Sequence, residues 1–220
     1  MPRLRISYNA PVVLTFALAA ALVHTLSLLL GDVVKLWFVA WPEFVGLRSY
    51  LGLVTHILGH GNWDHLLSNF TMILLLGPIL EERHGSRALL AMIGATALVT
   101  GLVNVAIADG FLLGASGIVF MMIVVASTAN IRQGEIPLTF VAVVVLFLGR
   151  EVYEGIVARD NVSQMAHLIG GAVGAAIGFR TARPRSGALP SSAPSRAGGA
   201  GPGRSSTAAA LPAKSRDDAL

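Results

Sequence analysis

The sequence predicts an all-α membrane protein, a bundle of six transmembrane helices with a long, partly embedded first loop. Three observations carry this expectation. Of 220 residues, 54% are hydrophobic and only 13% charged, a balance well on the apolar side of a soluble globular domain. Six apolar stretches follow one another along the chain, at 12–30, 65–80, 88–108, 116–129, 137–148 and 166–179. The basic residues sit at the chain ends and between these stretches rather than on one surface.

The first stretch, 12–30, carries no formal charge and matches the roughly 20 residues needed to cross a hydrocarbon core. Five further candidate spans come after it, which makes it a first transmembrane helix rather than a signal peptide. The connection at 31–64 contains Trp37, Trp41 and Pro42, and tryptophan favours the membrane interface. Several later stretches are shorter than a full span, so their ends recruit neighbouring residues or lie in a thinned bilayer. Beyond Arg180 the composition turns to Arg, Pro, Ser, Gly and Ala, which cannot bury enough apolar surface to order itself. The organisation expected is a cytoplasmic segment at 1–11, a six-helix domain at 12–181 and a disordered cytoplasmic tail at 182–220.

Six spans put both ends on one side. Arg3, Arg5, Arg180, Arg183 and Arg185 flank the first and last spans as cytoplasmic positive charge does, and Arg132 and the turn from Glu81 to Arg87 fall on that side too. Arg150 and Arg159 lie opposite, so the rule is obeyed by the majority. The compact core without an added domain or targeting segment suggests a bacterial inner (plasma) membrane. The net charge of +4 is better matched to anionic headgroups and topology than to nucleic acid. Cysteine is absent, which removes disulfides, thiolate metal sites and a cysteine nucleophile; no cofactor or metal is expected.

Gly114, Ala115, Ser116 and Gly117 open the fourth span, setting a hydroxyl among residues small enough for close backbone approach. Alone, such a match reads more readily as a small-residue helix contact with the serine bonded to its own backbone. His167 opens the sixth span, with Gly170 and Gly174 on the same helical face. An ionisable group inside a span is costly enough to suggest function, a hydrogen-bonded structural histidine being the other reading. The fourth and sixth spans run in one direction, so Ser116 and His167 share a depth, and packing of the Gly117 and Gly170 faces brings hydroxyl and imidazole within reach. The second span runs the same way. Its start carries His65 and Asn69, an i, i+4 pair able to stabilise an oxyanion with the backbone N–H of Ser116, or simply to bond between helices.

These residues give the chain its resemblance to the rhomboid family of intramembrane serine proteases, over about residues 37–179. The motifs are HGNWDHLLSN at 60–69, Glu81-Glu82-Arg83-His84-Gly85, Gly114-Ala115-Ser116-Gly117, and Ala166-His167-Leu168-Ile169-Gly170 with Gly174. The resemblance implies that Ser116 is the nucleophile and His167 its base. It also implies that His65 and Asn69 are the oxyanion-hole side chains, with backbone donors from Ala115 and Ser116. His60 would hold the loop above the site, and Glu81 and Arg83 would form a structural polar cluster at the cytoplasmic end. Three departures stand out. Phe120 occupies the place of an aromatic residue that is often Tyr, the family's Trp-Arg pair has only Leu47-Arg48 as a distant counterpart, and Asp64 replaces a usually apolar neighbour of His65.

The expected activity is cleavage of transmembrane helices of membrane proteins by a Ser-His dyad. Water would enter past His60, Asn62, Asp64 and His65. A catalytically inactive rhomboid-like protein that binds transmembrane clients is the main rival, since a fold does not prove activity. A metallohydrolase built on His56, His60 and His65 is weaker: the spacing lacks an H-E-x-x-H helix, and Gly59 and Gly61 break any single rigid helix. A transporter is weaker again, without matching halves in the sequence.

Overall fold

A computed structural model describes residues 8–107, 110–128, isolated positions between 138 and 149, and 161–181. Its helices are α1 (Pro11–Leu30), α2 (Asp32–Lys35), α3 (Leu47–Thr55), α4 (Trp63–His84), α5 (Ser86–Ile107), α6 (Ser116–Ser127) and α7 (Asn161–Thr181), with a 3₁₀ turn at His56–Leu58 after α3. Among the described residues, α1, α4 and α5 are long and apolar enough to cross a bilayer, and α6 is a shorter apolar helix. The predicted fifth stretch, 137–148, lies outside the described residues apart from single helical positions. So do the segment at 1–7 and the tail from 182.

The helices extend past the apolar stretches because polar residues supply their ends. The second stretch begins at Trp63 rather than His65, since the Asn62 side chain accepts a hydrogen bond from the His65 N–H at 2.8 Å and caps α4. At its other end, where the sequence predicts a turn, α4 runs on through Glu81 to His84 and stops only at Gly85, whose φ of 84° suits glycine. α7 begins five residues before Ala166.

α1 has Pro11 in its first turn and neither a side-chain cap nor an acid there. Its orphan donors are met from another helix. The Glu81 carboxylate accepts from the N–H groups of Val12 (3.0 Å) and Val13 (3.1 Å) and from the Ser86 hydroxyl (2.7 Å). The N-terminus of α1 therefore meets the C-terminal end of α4, while His24, further along α1, reaches Trp63 at the start of α4; the two helices are antiparallel.

The bundle is apolar outside as well as inside. Leu18, Leu22, Leu29, Leu67, Leu75, Ile79, Leu90 and Ile107 are exposed, whereas His24, Asn69, Glu81, Thr96, Thr100 and Asn104 are buried. In water such a surface would demand a covering partner, whereas in lipid it is the ordinary one. The core proper is a continuous cluster that includes Val13, Phe70, Ile73, Leu80, Leu89, Ile118 and Met121.

The predicted first loop holds α2, α3 and the 3₁₀ turn and is tied down at several points. The Thr55 hydroxyl donates to the Trp37 carbonyl at 2.7 Å, His56 Nδ1 pairs with the Gly52 carbonyl at 3.0 Å, and His56 Nε2 pairs with Thr100 Oγ1 at 3.3 Å. Ala40 and Leu112 exchange backbone bonds of 2.8 and 2.9 Å in an isolated antiparallel bridge. The Asn104 amide donates to the carbonyls of Ala40 and Gly110.

Candidate active site

The start of α6 is built around Gly114, whose φ of 115° excludes ordinary side chains. The lack of a Cβ also makes room for a neighbour. A Cβ at Gly114 would sit 2.6 Å from His65 Nε2 and 3.8 Å from Asn69 Nδ2. The starts of α4 and α6 thus lie at one level, with His65 and Asn69 turned towards the backbone that leads into Ser116. The Gly114 N–H donates to the His56 carbonyl at 2.9 Å, which fixes this loop to the 3₁₀ turn. Ala115 is fully buried at the N-cap of α6 and offers no side-chain bond to the N–H groups of the first turn.

α7 runs parallel to α6 along a stripe of glycines. A Cβ at Gly170 would collide with the Gly117 carbonyl oxygen and lie 2.8 Å from its carbon; at Gly174 it would meet the Met121 carbonyl oxygen at 2.7 Å; at Gly178 it would collide with Thr128 Oγ1. Reciprocally, a Cβ at Gly117 would lie 3.2 Å from the Ala166 carbonyl oxygen. Backbone-to-backbone approach of this kind needs small residues on both faces. It places His167, one turn before Gly170, over the first turn of α6, where its ring stacks on Phe120 with centroids 4.4 Å apart and planes 7° from parallel. Ser116 and His167 are both half-buried, so a ligand can reach them.

His60 is buried and positions Asn69. The Asn69 amide donates to His60 Nε2 at 3.2 Å, which requires the tautomer in which Nδ1–H donates to the Leu58 carbonyl at 3.3 Å. Burial first, then the nearby imidazoles of His65 and His24, push the His60 pKa down to about 4 against the opposing Leu58 carbonyl. At neutral pH the ring is uncharged and keeps Nε2 available to Asn69. The second amide hydrogen of Asn69 remains for another acceptor.

The structure brings together Ser116, Ala115, Gly114, His65, Asn69 and His60 at one end of α4 and α6, and Gly117, Gly170, Gly174 and His167 along the α6–α7 seam. Glu81 and Arg83 lie at the opposite end of α4. His56 is committed to Gly52 and Thr100 rather than aimed at His60 and His65, and among the described residues no group of three His, Asp or Glu side chains is arranged to hold a metal ion. Asn62, expected to line a water path, caps α4. His24 is a buried residue that sequence reasoning misses; a lone histidine in the middle of an otherwise uncharged span is the available signal.

The sequence profile of the Rhomboid domain matches residues 47–184. The rhomboid protease GlpG of Salmonella newport and that of Salmonella heidelberg are each 31% identical to this chain over 113 residues, covering 51% of this chain and 41% of theirs. The chain thus spans about two fifths of the length of these curated relatives in the matched region. Taken with the apolar exterior and the three spanning helices, these likenesses make this an integral membrane protein.

Proposed function

Because the chain belongs to the rhomboid family, we propose that it is an intramembrane serine endopeptidase, with a six-span bundle whose termini are both cytoplasmic, in a bacterial inner membrane. Ser116 is the nucleophile and His167 its base. The observation that carries this reading is the close approach of Gly170 to Gly117, with His167 held against Phe120 above the turn that begins at Ser116. A parallel ring stack fixes the imidazole plane, the task that a third, orienting residue performs in a triad.

In the reaction His167 takes the Ser116 Oγ proton as Oγ attacks the substrate carbonyl. The oxyanion that forms is held by His65, by the free amide hydrogen of Asn69 and by the backbone N–H groups at Ala115 and Ser116. These donors are in place before substrate arrives: Asn69 is held by His60, and the loop by the His56 carbonyl. His167 then protonates the leaving amine, and water hydrolyses the acyl-enzyme. The substrate is a transmembrane helix of a membrane protein. Its backbone must unwind to present a carbonyl, so helix-weakening residues near the cut favour cleavage.

The test is cleavage of a transmembrane reporter by purified protein in detergent, comparing wild type with Ser116→Ala and His167→Ala. Wild type cleaves and both variants fail to; equal cleavage by all three removes the dyad.

A further inference from the structure

His24 lies within α1, is 2% exposed, and has both ring nitrogens buried with no hydrogen-bond partner among the described residues. A neutral imidazole carries one N–H donor and one acceptor nitrogen, and buried polar atoms in folded proteins are nearly always paired. Its ring meets Trp63 edge to face at 4.6 Å and 84°, a contact that satisfies at most one nitrogen, and weakly. A phenylalanine would fill this place without any unmet polar atom. An intramembrane ionisable residue kept at such cost points to function.

Its surroundings say which. Trp63, the ring that His24 meets, opens α4 two residues ahead of His65. His60 has both nitrogens engaged, by Leu58 and Asn69. His24 is therefore an imidazole beside the end of α4 that carries the proposed oxyanion residues, with neither donor nor acceptor paired among the described residues. The smallest molecule able to satisfy both is water, which occupies buried sites that offer polar partners.

We propose that His24 anchors a buried water site between α1 and the Trp63 end of α4, and that this site supplies the water that hydrolyses the acyl-enzyme. The inference rests on the protease reading. In that step the water oxygen bonds to the acyl carbon while His167 takes its proton; the tetrahedral species collapses by breaking the bond from carbon to Ser116 Oγ, and His167 returns the proton to Oγ. His24 touches neither the acyl carbon nor Oγ, so it is a positioning residue for the second substrate.

The experiment separates acylation from water attack. Ser116 labelling by a fluorophosphonate probe reports the nucleophile and its base, and turnover of a transmembrane reporter reports the whole cycle. His24→Phe keeps the ring contact with Trp63 but holds no water. It is expected to label at the wild-type rate, to turn over at least tenfold more slowly with acyl-enzyme accumulating, and to be rescued by hydroxylamine, a small nucleophile that replaces water. His24→Gln, which keeps a donor and an acceptor, is expected to restore most of the turnover. Wild-type turnover in His24→Phe, or an equal fall in labelling and turnover without hydroxylamine rescue, overturns the proposal. A wild-type protein that neither labels nor cleaves would instead strike the protease reading itself.

Discussion

Replacing Gly170 by alanine tests the geometry on which the proposed dyad depends. The new Cβ would lie 2.8 Å from the Gly117 carbonyl carbon and 2.9 Å from its Cα, whereas carbon atoms rest at about 3.5–4.0 Å. The obstacle is helix backbone, not the end of a flexible side chain, so α6 and α7 must part by on the order of 1 Å to restore ordinary contact. Overpacking of this kind costs about 1–3 kcal/mol, and alanine returns up to about 1 kcal/mol of helix propensity. The net loss of stability is then at most about 3 kcal/mol, small enough for the variant to fold. Activity suffers more, because an ångström of misplacement between reacting groups lowers rates by about 10². Gly171→Ala is the internal control. Among the described residues its Cβ meets only Val124 Cγ2, at an ordinary 3.9 Å, so it gains propensity without parting α6 from α7. Fluorophosphonate labelling of Ser116, measured beside thermal unfolding in one detergent, is expected to be about a hundredfold slower in Gly170→Ala and unchanged in Gly171→Ala. Labelling of Gly170→Ala within twofold of wild type would refute the reasoning.

Three further outcomes are expected. Glu81→Ala strips acceptors from the Val12 and Val13 N–H groups and from Ser86, at a cost of about 1–3 kcal/mol, while Glu81→Gln keeps a carbonyl acceptor and loses less; equal melting temperatures for the two variants and wild type would count against the cap. The His60 pKa of about 4 lies below its ordinary 6.5, so between these values the unfolded chain binds more protons, and the stability present above pH 6.5 is lost as pH falls towards 4. His60→Asn should flatten, without abolishing, the decline of melting temperature over that window, since His56, also pushed down to about 4 mainly by burial, contributes the same sense; an unchanged slope would show that His60 does not carry it. Asn69→Ala is expected to lower kcat by about 10² or more with KM little altered, and a change confined to KM would argue for a binding role instead.

What is legible in the sequence and what is hidden divide along a physical line. Apolar run length and small-residue spacing are local signals, and they locate α1, α4, α5, α6 and α7 and the face shared by His167, Gly170 and Gly174. The direction of each span, counted along the chain, places the starts of α4 and α6 together without any knowledge of contacts. Hidden are interactions whose partners are distant in sequence. Nothing near Pro11 announces that its helix is capped by Glu81, 68 residues after Val13. The bridge from Ala40 to Leu112 and the hold of Asn104 on Ala40 belong to tertiary structure alone. Asn62 is legible in principle, as an Asn just ahead of a helix, and its role follows from that position rather than from its polarity near the site. His24 is hidden for another reason. Span length and mean hydropathy average over a single polar residue, so the criterion that finds α1 is blind to the exception inside it.

The bond from the Gly114 N–H to the His56 carbonyl, together with the pairing of Leu112 and Ala40, ties the loop of the proposed nucleophile to the segment between α1 and α4. The attachment lies two residues from Ser116, so a displacement of that segment bears on the backbone that leads into it. A bilayer whose thickness mismatches the helices therefore acts as a hand on this lever. Under the proteolytic reading, the surrounding lipid tunes the proposed dyad, alongside whatever the substrate brings.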